Sequence, residues 1–159
     1  LLDIFEEMGC IVHTGDDWAE VDAASRDLKP VHVETAPYPG FPTDLQAPLM
    51  AVLATVPGES KIRDTVYLDR FKHVAELNRL GANISLEGNT ATIKGAEKLQ
   101  GAPVMASDLR AAAALVLAGL VAEGETRVSR IYHLDRGYEN FEAKMEKLGG
   151  KILRQNDQT

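Results

Sequence analysis

The chain has 159 residues, 45% of them hydrophobic and 26% charged, with a net charge of −7. That length supports one domain with a real core, and the acidic balance argues against a nonspecific binder of nucleic acid or of a membrane surface. A single cysteine, Cys10, permits no internal disulfide, and the longest apolar run, residues 111–122, falls short of the ~20 residues that a membrane span needs.

The opening Leu1-Leu2-Asp3-Ile4-Phe5 is already in the register of a helix, so the sequence reads as a piece of a longer protein. Met8-Gly9-Cys10 has the form of a helix stop, with Cys10 as a small buried residue rather than a nucleophile. A hairpin follows through Val12, Trp18, Ala19 and Val21, with Trp18 expected in the packing. Residues 31–34 alternate like a strand. Residues 35–46, Thr-Ala-Pro-Tyr-Pro-Gly-Phe-Pro-Thr-Asp-Leu-Gln, form a stiff arm, because Pro37, Pro39 and Pro42 remove backbone donors and fix φ. Thr43 and Gln46 have capping-box spacing, which predicts Asp44 in the first turn of a helix over 43–55. That helix is apolar on nearly every side. A strand is expected over 61–67, an amphipathic helix over 73–80 stopped by Gly81, and a hairpin over 84–95 turning at Gly88-Asn89. The pattern then starts again: Val104-Met105, a helix over 107–122, a strand over 126–132, a helix over 138–148, and a last extended piece at 151–154. The final five residues read as a frayed tail.

The chain therefore repeats itself. Thr43-Asp44-Leu45 is echoed by Ser107-Asp108-Leu109, Asp69-Arg70 by Asp135-Arg136, and Leu80-Gly81-Ala82-Asn83-Ile84 by Leu148-Gly149-Gly150-Lys151-Ile152, in the same order. This divides the sequence into two βαβαββ units, 24–95 and 96–155, preceded by the tail of another, 1–23. Helices that are hydrophobic all round must be buried all round, while charged, alternating strands leave one sheet face wet. The expected fold class is α/β with the helices inside and the sheets outside.

Four places can carry chemistry. Asp44 is either a helix-start acid favoured by the dipole or an aimed carboxylate, and Asp108 occupies the matching place in the next unit. Arg110 opens a helix of Ala and Leu, so it must reach solvent, a carboxylate or an anionic ligand. Asp69-Arg70 and Asp135-Arg136 are surface ion pairs by default. Gathered on one rim, Asp44, Arg70, Arg110 and Arg136 would suit a substrate carrying phosphate or carboxylate groups. His13, His32, His73 and His133 are scattered without metal-ligand spacing, and no dinucleotide or P-loop fingerprint is present, so neither a metal nor a cofactor is expected.

The segment 35–47, together with Arg70-Phe71-Lys72-His73-Val74-Ala75-Glu76-Leu77, Ala106-Ser107-Asp108-Leu109-Arg110-Ala111, Leu115-Val116-Leu117-Ala118-Gly119 and Asp135-Arg136-Gly137-Tyr138-Glu139, resembles the bacterial enolpyruvyl transferase family, in the branch that acts on UDP-N-acetylglucosamine. The resemblance implies an inside-out α/β barrel of two domains, each built from three repeated units, of which this chain is the C-terminal part of one. The other, N-terminal domain lies outside these residues, and the chain alone should be inactive. The implied reaction moves enolpyruvyl from phosphoenolpyruvate to the sugar 3-hydroxyl in the bacterial cytoplasm, the first committed step of peptidoglycan synthesis, with no nucleic acid or membrane as partner. Asp44 then matches the catalytic carboxylate that contacts the hydroxyl, Val66 a contact to UDP-N-acetylglucosamine, and Arg110 and Arg136 the ligands of phosphoenolpyruvate. Arg70 and Asp108 are further candidates. Where the family commonly has Glu-Asn before the arginine at 70, this chain has Leu68-Asp69. The shikimate-pathway sister enzyme and a non-catalytic sugar-nucleotide-binding module are the alternatives.

Overall fold

Three helices in the chain stop in the same manner, and these stops mark out its organisation. The computed structural model describes residues 1–24, 27–67 and 69–155. Its elements follow in the order α1 (Leu2–Glu7), β1 (Ile11–Thr14), β2 (Ala19–Asp22), β3 (His32–Glu34), a 3-10 turn (Thr43–Leu45), α2 (Gln46–Leu53), β4 (Glu59–Arg63), α3 (His73–Arg79), β5 (Asn83–Glu87), β6 (Thr90–Lys94), β7 (Pro103–Met105), α4 (Leu109–Val121), β8 (Arg127–Ser129), α5 (Tyr132–Asp135) and α6 (Phe141–Lys147). Helices α1, α3 and α6 each run into a glycine of positive φ, Gly9 at 98°, Gly81 at 86° and Gly149 at 90°. In each case the next N–H, of Cys10, Ala82 or Gly150, donates back to the carbonyl of Phe5, Leu77 or Met145. This closes a Schellman motif, which a residue with a Cβ would strain.

A hairpin follows the first two of these stops, β1–β2 and β5–β6, both antiparallel. The third is followed by residues 151–155 without regular structure, so the extended piece expected at 151–154 does not form a strand. Among the described residues no second strand pairs with its backbone. Arg154 instead reaches across to Asp135 at 2.7 Å and Glu142 at 2.9 Å.

The main sheet has the order β3-β4-β6-β5. Strands β3 and β4 are parallel, with Val33 opposite Ile62, and α2 is the crossover between them. Ser60 and Ile62 of β4 are buried while Glu59, Lys61 and Arg63 are exposed, the alternation of a sheet with one wet face. Helix α2 covers the dry face, and its Leu49, Met50 and Leu53 join Ile62, Ala91 and Ile93 in one core. The parallel pair β7–β8, with Val104 opposite Val128, is bridged in the same way by α4, and α2 and α4 pack on each other. The chain is thus a mixed α/β structure whose two most apolar helices lie together behind the sheets.

Several expectations need correction. Burial is not complete around the apolar helices: Val52 and Val121 are exposed, the latter by 63%, because the sheet and the facing helix leave one side of each helix uncovered. The strand expected over 61–67 ends at Arg63, where the Asp64 carboxylate draws in the next backbone N–H groups and turns the chain. The strand expected over 126–132 ends at Ser129, because Arg130 takes φ 60° and Tyr132 opens a short helix. Asp135 and Arg136 therefore end a helix rather than follow a strand. Trp18 is more than half exposed, lying over Gly15, so it is not a core residue, whereas Cys10 is buried as expected.

Candidate functional site

The proline-rich arm folds back on itself. Ala36 N–H donates to the Phe41 carbonyl and Gly40 N–H to that of Pro37, both at 2.9 Å. The peptide between Tyr38 and Pro39 is cis, and Tyr38 stands at the tip, 98% exposed. The arm does not end in a capping box. The Thr43 hydroxyl donates to Asp64 Oδ2 at 2.6 Å, and Gln46 Nε2 donates to the Arg70 carbonyl at 3.3 Å; neither side chain caps α2. Both groups are drawn away from the helix end by partners remote in sequence. Asp44 lies in the intervening 3-10 turn with its carboxylate free of backbone duties.

That carboxylate gathers two guanidiniums. Asp44 Oδ1 accepts from Arg70 Nη1 at 2.6 Å, and from Arg110 Nε at 2.9 Å and Nη2 at 2.7 Å. Partial burial pushes the Asp44 carboxyl up, but hydrogen bonds from Arg70 and Arg110, with their charges, outweigh this and hold it below the usual carboxylate range. The Asp44 side chain is 61% exposed, so each pair stabilises the fold by only ~0–1 kcal/mol. These contacts can be exchanged for a ligand at little cost to folding. Arg70 is further fixed by the Tyr67 ring, 4.6 Å below its guanidinium.

Asp108 is not the equivalent of Asp44, despite the sequence echo. Its Oδ1 accepts from the N–H groups of Arg110 at 2.9 Å and Ala111 at 3.0 Å, a true N-cap of α4. Burial pushes its carboxyl up, but these bonds and the Ser107 hydroxyl hold it below its ordinary value. Its task is to aim the start of α4, and with it Arg110.

Arg136 follows the last residue of α5, and among the described residues it makes no ion pair. Gly137 next to it lies so close to Leu109 that a Cβ there would approach the leucine side chain to 2.7 Å. This contact sets Arg136 beside the start of α4 without joining it to Asp44. Asp69 and Asp135 do not pair with the arginines that follow them: Asp69 binds Lys72 and Asp135 binds Arg154. Val66 lies in the turn beyond β4, its N–H 3.0 Å from Asp64 Oδ1. Leu68, the sequence departure next to Asp69, lies outside the described residues.

Two buried groups at this site were missed from sequence. Asp64 is fully buried. The signal was available, since Ser60, Ile62 and Asp64 share one strand parity, and a carboxylate on the dry side demands partners. His73 is 2% exposed, with no partner for Nε2 among the described residues. Its position on the apolar stripe with Val74 and Leu77 could have shown that. No group of three or more His, Cys, Asp or Glu residues that could hold a metal is assembled among the described residues, nor is any described helix long and apolar enough to cross a membrane.

Residues 1–145 match the family model described as EPSP synthase (3-phosphoshikimate 1-carboxyvinyltransferase). The chain is 57% identical over 154 residues to a UDP-N-acetylglucosamine 1-carboxyvinyltransferase from Acinetobacter baylyi, covering 97% of this chain and 37% of the relative. It is 54% identical over 156 residues to the protein of the same description from Hydrogenovibrio crunogenus, covering 98% and 37%. It thus spans a little over a third of the length of these curated relatives. Among solved structures, the enolpyruvyl transferase NikO from Streptomyces tendae superposes with a TM-score of 0.87 at 32% identity, over 96% of this chain and 35% of that one. An EPSP synthase from Acinetobacter baumannii shares the fold, with a TM-score of 0.67 at 18% identity over 98% and 37%. With the family model matched over nearly all its length, the chain belongs to the EPSP synthase family of carboxyvinyl transferases.

Proposed function

We propose that the chain is part of an enzyme that transfers the carboxyvinyl group of phosphoenolpyruvate to the 3-hydroxyl of UDP-N-acetylglucosamine, and that residues 24–95 and 96–155 are two repeat units of one inside-out barrel domain whose partner domain is contributed by further sequence. The observation that carries the reading is one carboxylate, Asp44, held at the end of a rigid arm between two guanidiniums, in a chain more than half identical to transferases of that description.

The chemistry fits the residues. A hydroxyl becomes a competent nucleophile when a positioned base takes its proton, and Asp44 is the exposed carboxylate available for that. The hydroxyl gives up its proton as its oxygen adds to the substituted carbon of the donor's double bond and the methylene carbon takes up a proton; loss of a proton from that new methyl group and of phosphate then restores the double bond. Arg110, with Arg136 alongside the same helix start, neutralises the anionic donor through addition and elimination. When the donor's anionic groups take over the guanidiniums, Asp44 loses the partners that depress its basicity. The ligand-free pairing thus keeps both the base and the cations ready. Val66, in the turn that Asp64 holds, offers backbone to the sugar nucleotide, and Asp108 keeps Arg110 in place. On this reading the protein supplies peptidoglycan synthesis from the cytoplasm. The 53–57% identity to UDP-N-acetylglucosamine transferases against 18% to an EPSP synthase structure favours the sugar nucleotide over shikimate 3-phosphate as acceptor.

The test uses the complete protein with phosphoenolpyruvate and either acceptor, following phosphate release. Release with UDP-N-acetylglucosamine, and a loss of roughly a hundredfold or more in turnover for Asp44→Ala with the fold retained, is the expected result. Release with shikimate 3-phosphate alone, or full turnover by Asp44→Ala, would overturn the reading. A sugar nucleotide that binds without any phosphate release would leave a binding module in its place.

A further inference from the structure

The Asp64 carboxylate is the junction of the Asp44–Arg70 side of the site. Its Oδ1 accepts from the Thr35 hydroxyl at 2.8 Å, from Val66 N–H at 3.0 Å and from Tyr67 N–H at 2.9 Å, and its Oδ2 accepts from the Thr43 hydroxyl at 2.6 Å. Thr35 in turn accepts from Thr65 N–H at 3.0 Å, and the Thr65 hydroxyl donates back to the Thr35 carbonyl. Thr35 and Thr43 are the two ends of the proline-rich arm, so one buried carboxylate closes the arm at both ends and fastens it to the turn after β4.

Each tie leads to a group at the rim. Thr43 immediately precedes Asp44. Tyr67 supports the Arg70 guanidinium from below, and Arg70 binds Asp44. Val66 offers its backbone from the same turn. None of these groups shares a helix or strand with the others: beyond the Thr35 N–H bond to the Arg63 carbonyl, which extends the β3–β4 ladder at the start of the arm, helix and sheet hydrogen bonds do not set the placement of the arm, the 3-10 turn and the 64–67 turn. Four hydrogen bonds to one ionised group, roughly twice as strong as neutral ones, are the main ties, beside the two Thr35–Thr65 bonds and the one from Gln46 Nε2 to the Arg70 carbonyl.

We infer that Asp64 is a positioning residue for carboxyvinyl transfer, acting through Thr43 on Asp44, through Tyr67 on Arg70, and directly on the Val66 backbone. The inference rests on the function proposed above. Asp64 touches no substrate in this role; it fixes the distance between the base and the cation beside it. Misplacing a reacting group by about 1 Å costs on the order of a hundredfold in rate, so a small slackening of this junction is visible in kcat before it is visible in the fold.

The Thr43 tie separates positioning from folding, because Thr43 is only partly buried and valine keeps its shape while removing the hydroxyl. In the complete enzyme, turnover of phosphoenolpyruvate with UDP-N-acetylglucosamine by the wild type is read first; its absence defeats the functional reading whatever the variants do. Given that turnover, Thr43→Val is expected to lower kcat per folded molecule by roughly tenfold or more, with the KM for phosphoenolpyruvate within about twofold, since Arg110 and Arg136 are left in place. Thr43→Ser, which keeps the donor, is expected to restore most of that loss. Asp64→Ala is expected to lose at least as much kcat, and adding Thr43→Val to it should cost nothing further, because both cut the same tie. Wild-type kcat in Thr43→Val, equal impairment of the valine and serine variants, or independent multiplication of the Thr43 and Asp64 effects would each overturn the inference. If Asp64→Ala does not fold, the valine and serine pair still decides.

Discussion

Replacing His73 by leucine should flatten the acid side of the stability profile, and the size of the effect follows from burial. His73 is 2% exposed at the start of α3. Burial pushes its pKa down from 6.5 to about 4, against the opposing pull of the Asp108 carboxylate. In the unfolded chain the same imidazole binds its proton at the ordinary value. Between those two values the unfolded state therefore holds more protons than the folded one, and stability falls as pH drops from about 6.5 towards 4. A gap of about 2.5 pH units at ~1.4 kcal/mol each gives a ceiling of about 3 kcal/mol, reached below pH 4, of which about 2 kcal/mol is already lost at about pH 5. The carboxyls of Asp44, Asp64 and Asp108 are all held below their ordinary value of 3.8; their contributions are lost mainly as pH falls through and below that value, under the pH 7 to 5 range that reports on His73. Leucine is close to histidine in volume and removes a buried nitrogen that has no partner among the described residues, so at about pH 7 the variant should lie within about 1 kcal/mol of the wild type. Urea unfolding of both proteins at a series of pH values measures the difference directly. Parallel profiles for wild type and His73→Leu between about pH 7 and 5 would refute the assignment of that slope to His73.

Two further outcomes test separate parts of the structure. Arg136→Ala in the complete enzyme should raise the KM for phosphoenolpyruvate by roughly tenfold to a hundredfold, the scale of one charge-assisted contact, while leaving that for the sugar nucleotide nearly unchanged; equal effects on both would remove Arg136 from the donor's site. Gly95→Ala should destabilise the fold by about 1–3 kcal/mol, because a Cβ there would come within 1.8 Å of the Val56 carbonyl oxygen, backbone that cannot step aside; an unchanged melting midpoint would show that this crossing is looser than it stands.

The elements with one periodicity and one stop signal were legible in the sequence. The α3 stripe with Gly81 behind it, the β5–β6 hairpin turning at Gly88-Asn89, and the recurrence of the helix stop at Gly9, Gly81 and Gly149 all follow from contacts a few residues long. So does the apolar character of α2 and α4, which requires burial wherever the fold places them. Segments whose backbone is captured by a distant side chain were misread. The capping box at Thr43 and Gln46 is a sound local pattern, but Asp64 and the Arg70 carbonyl compete for those side chains and win. The strand through Tyr67 fails because Thr35, remote in sequence, takes the Thr65 N–H and Asp64 takes those of Val66 and Tyr67, while Asp69 pairs with Lys72 and Asp135 with Arg154 in place of the arginines next to them.

At the site, sequence alone determined the inventory: a rigid proline arm ending in Asp44, a second acid at Asp108, and arginines at 70, 110 and 136. These depend on residue identity and short spacing. Tertiary structure decided how they divide the work. Asp44 and Asp108 echo each other in sequence, yet one carboxylate turns outward to two guanidiniums while the other is consumed by the N–H groups of its own helix. The difference lies in what surrounds each turn. Near Asp44, Asp64 takes the Thr43 hydroxyl away from the helix end, Tyr67 lies under Arg70, and the start of α4 capped by Asp108 carries Arg110 in from far along the chain, and no local pattern can encode such a meeting.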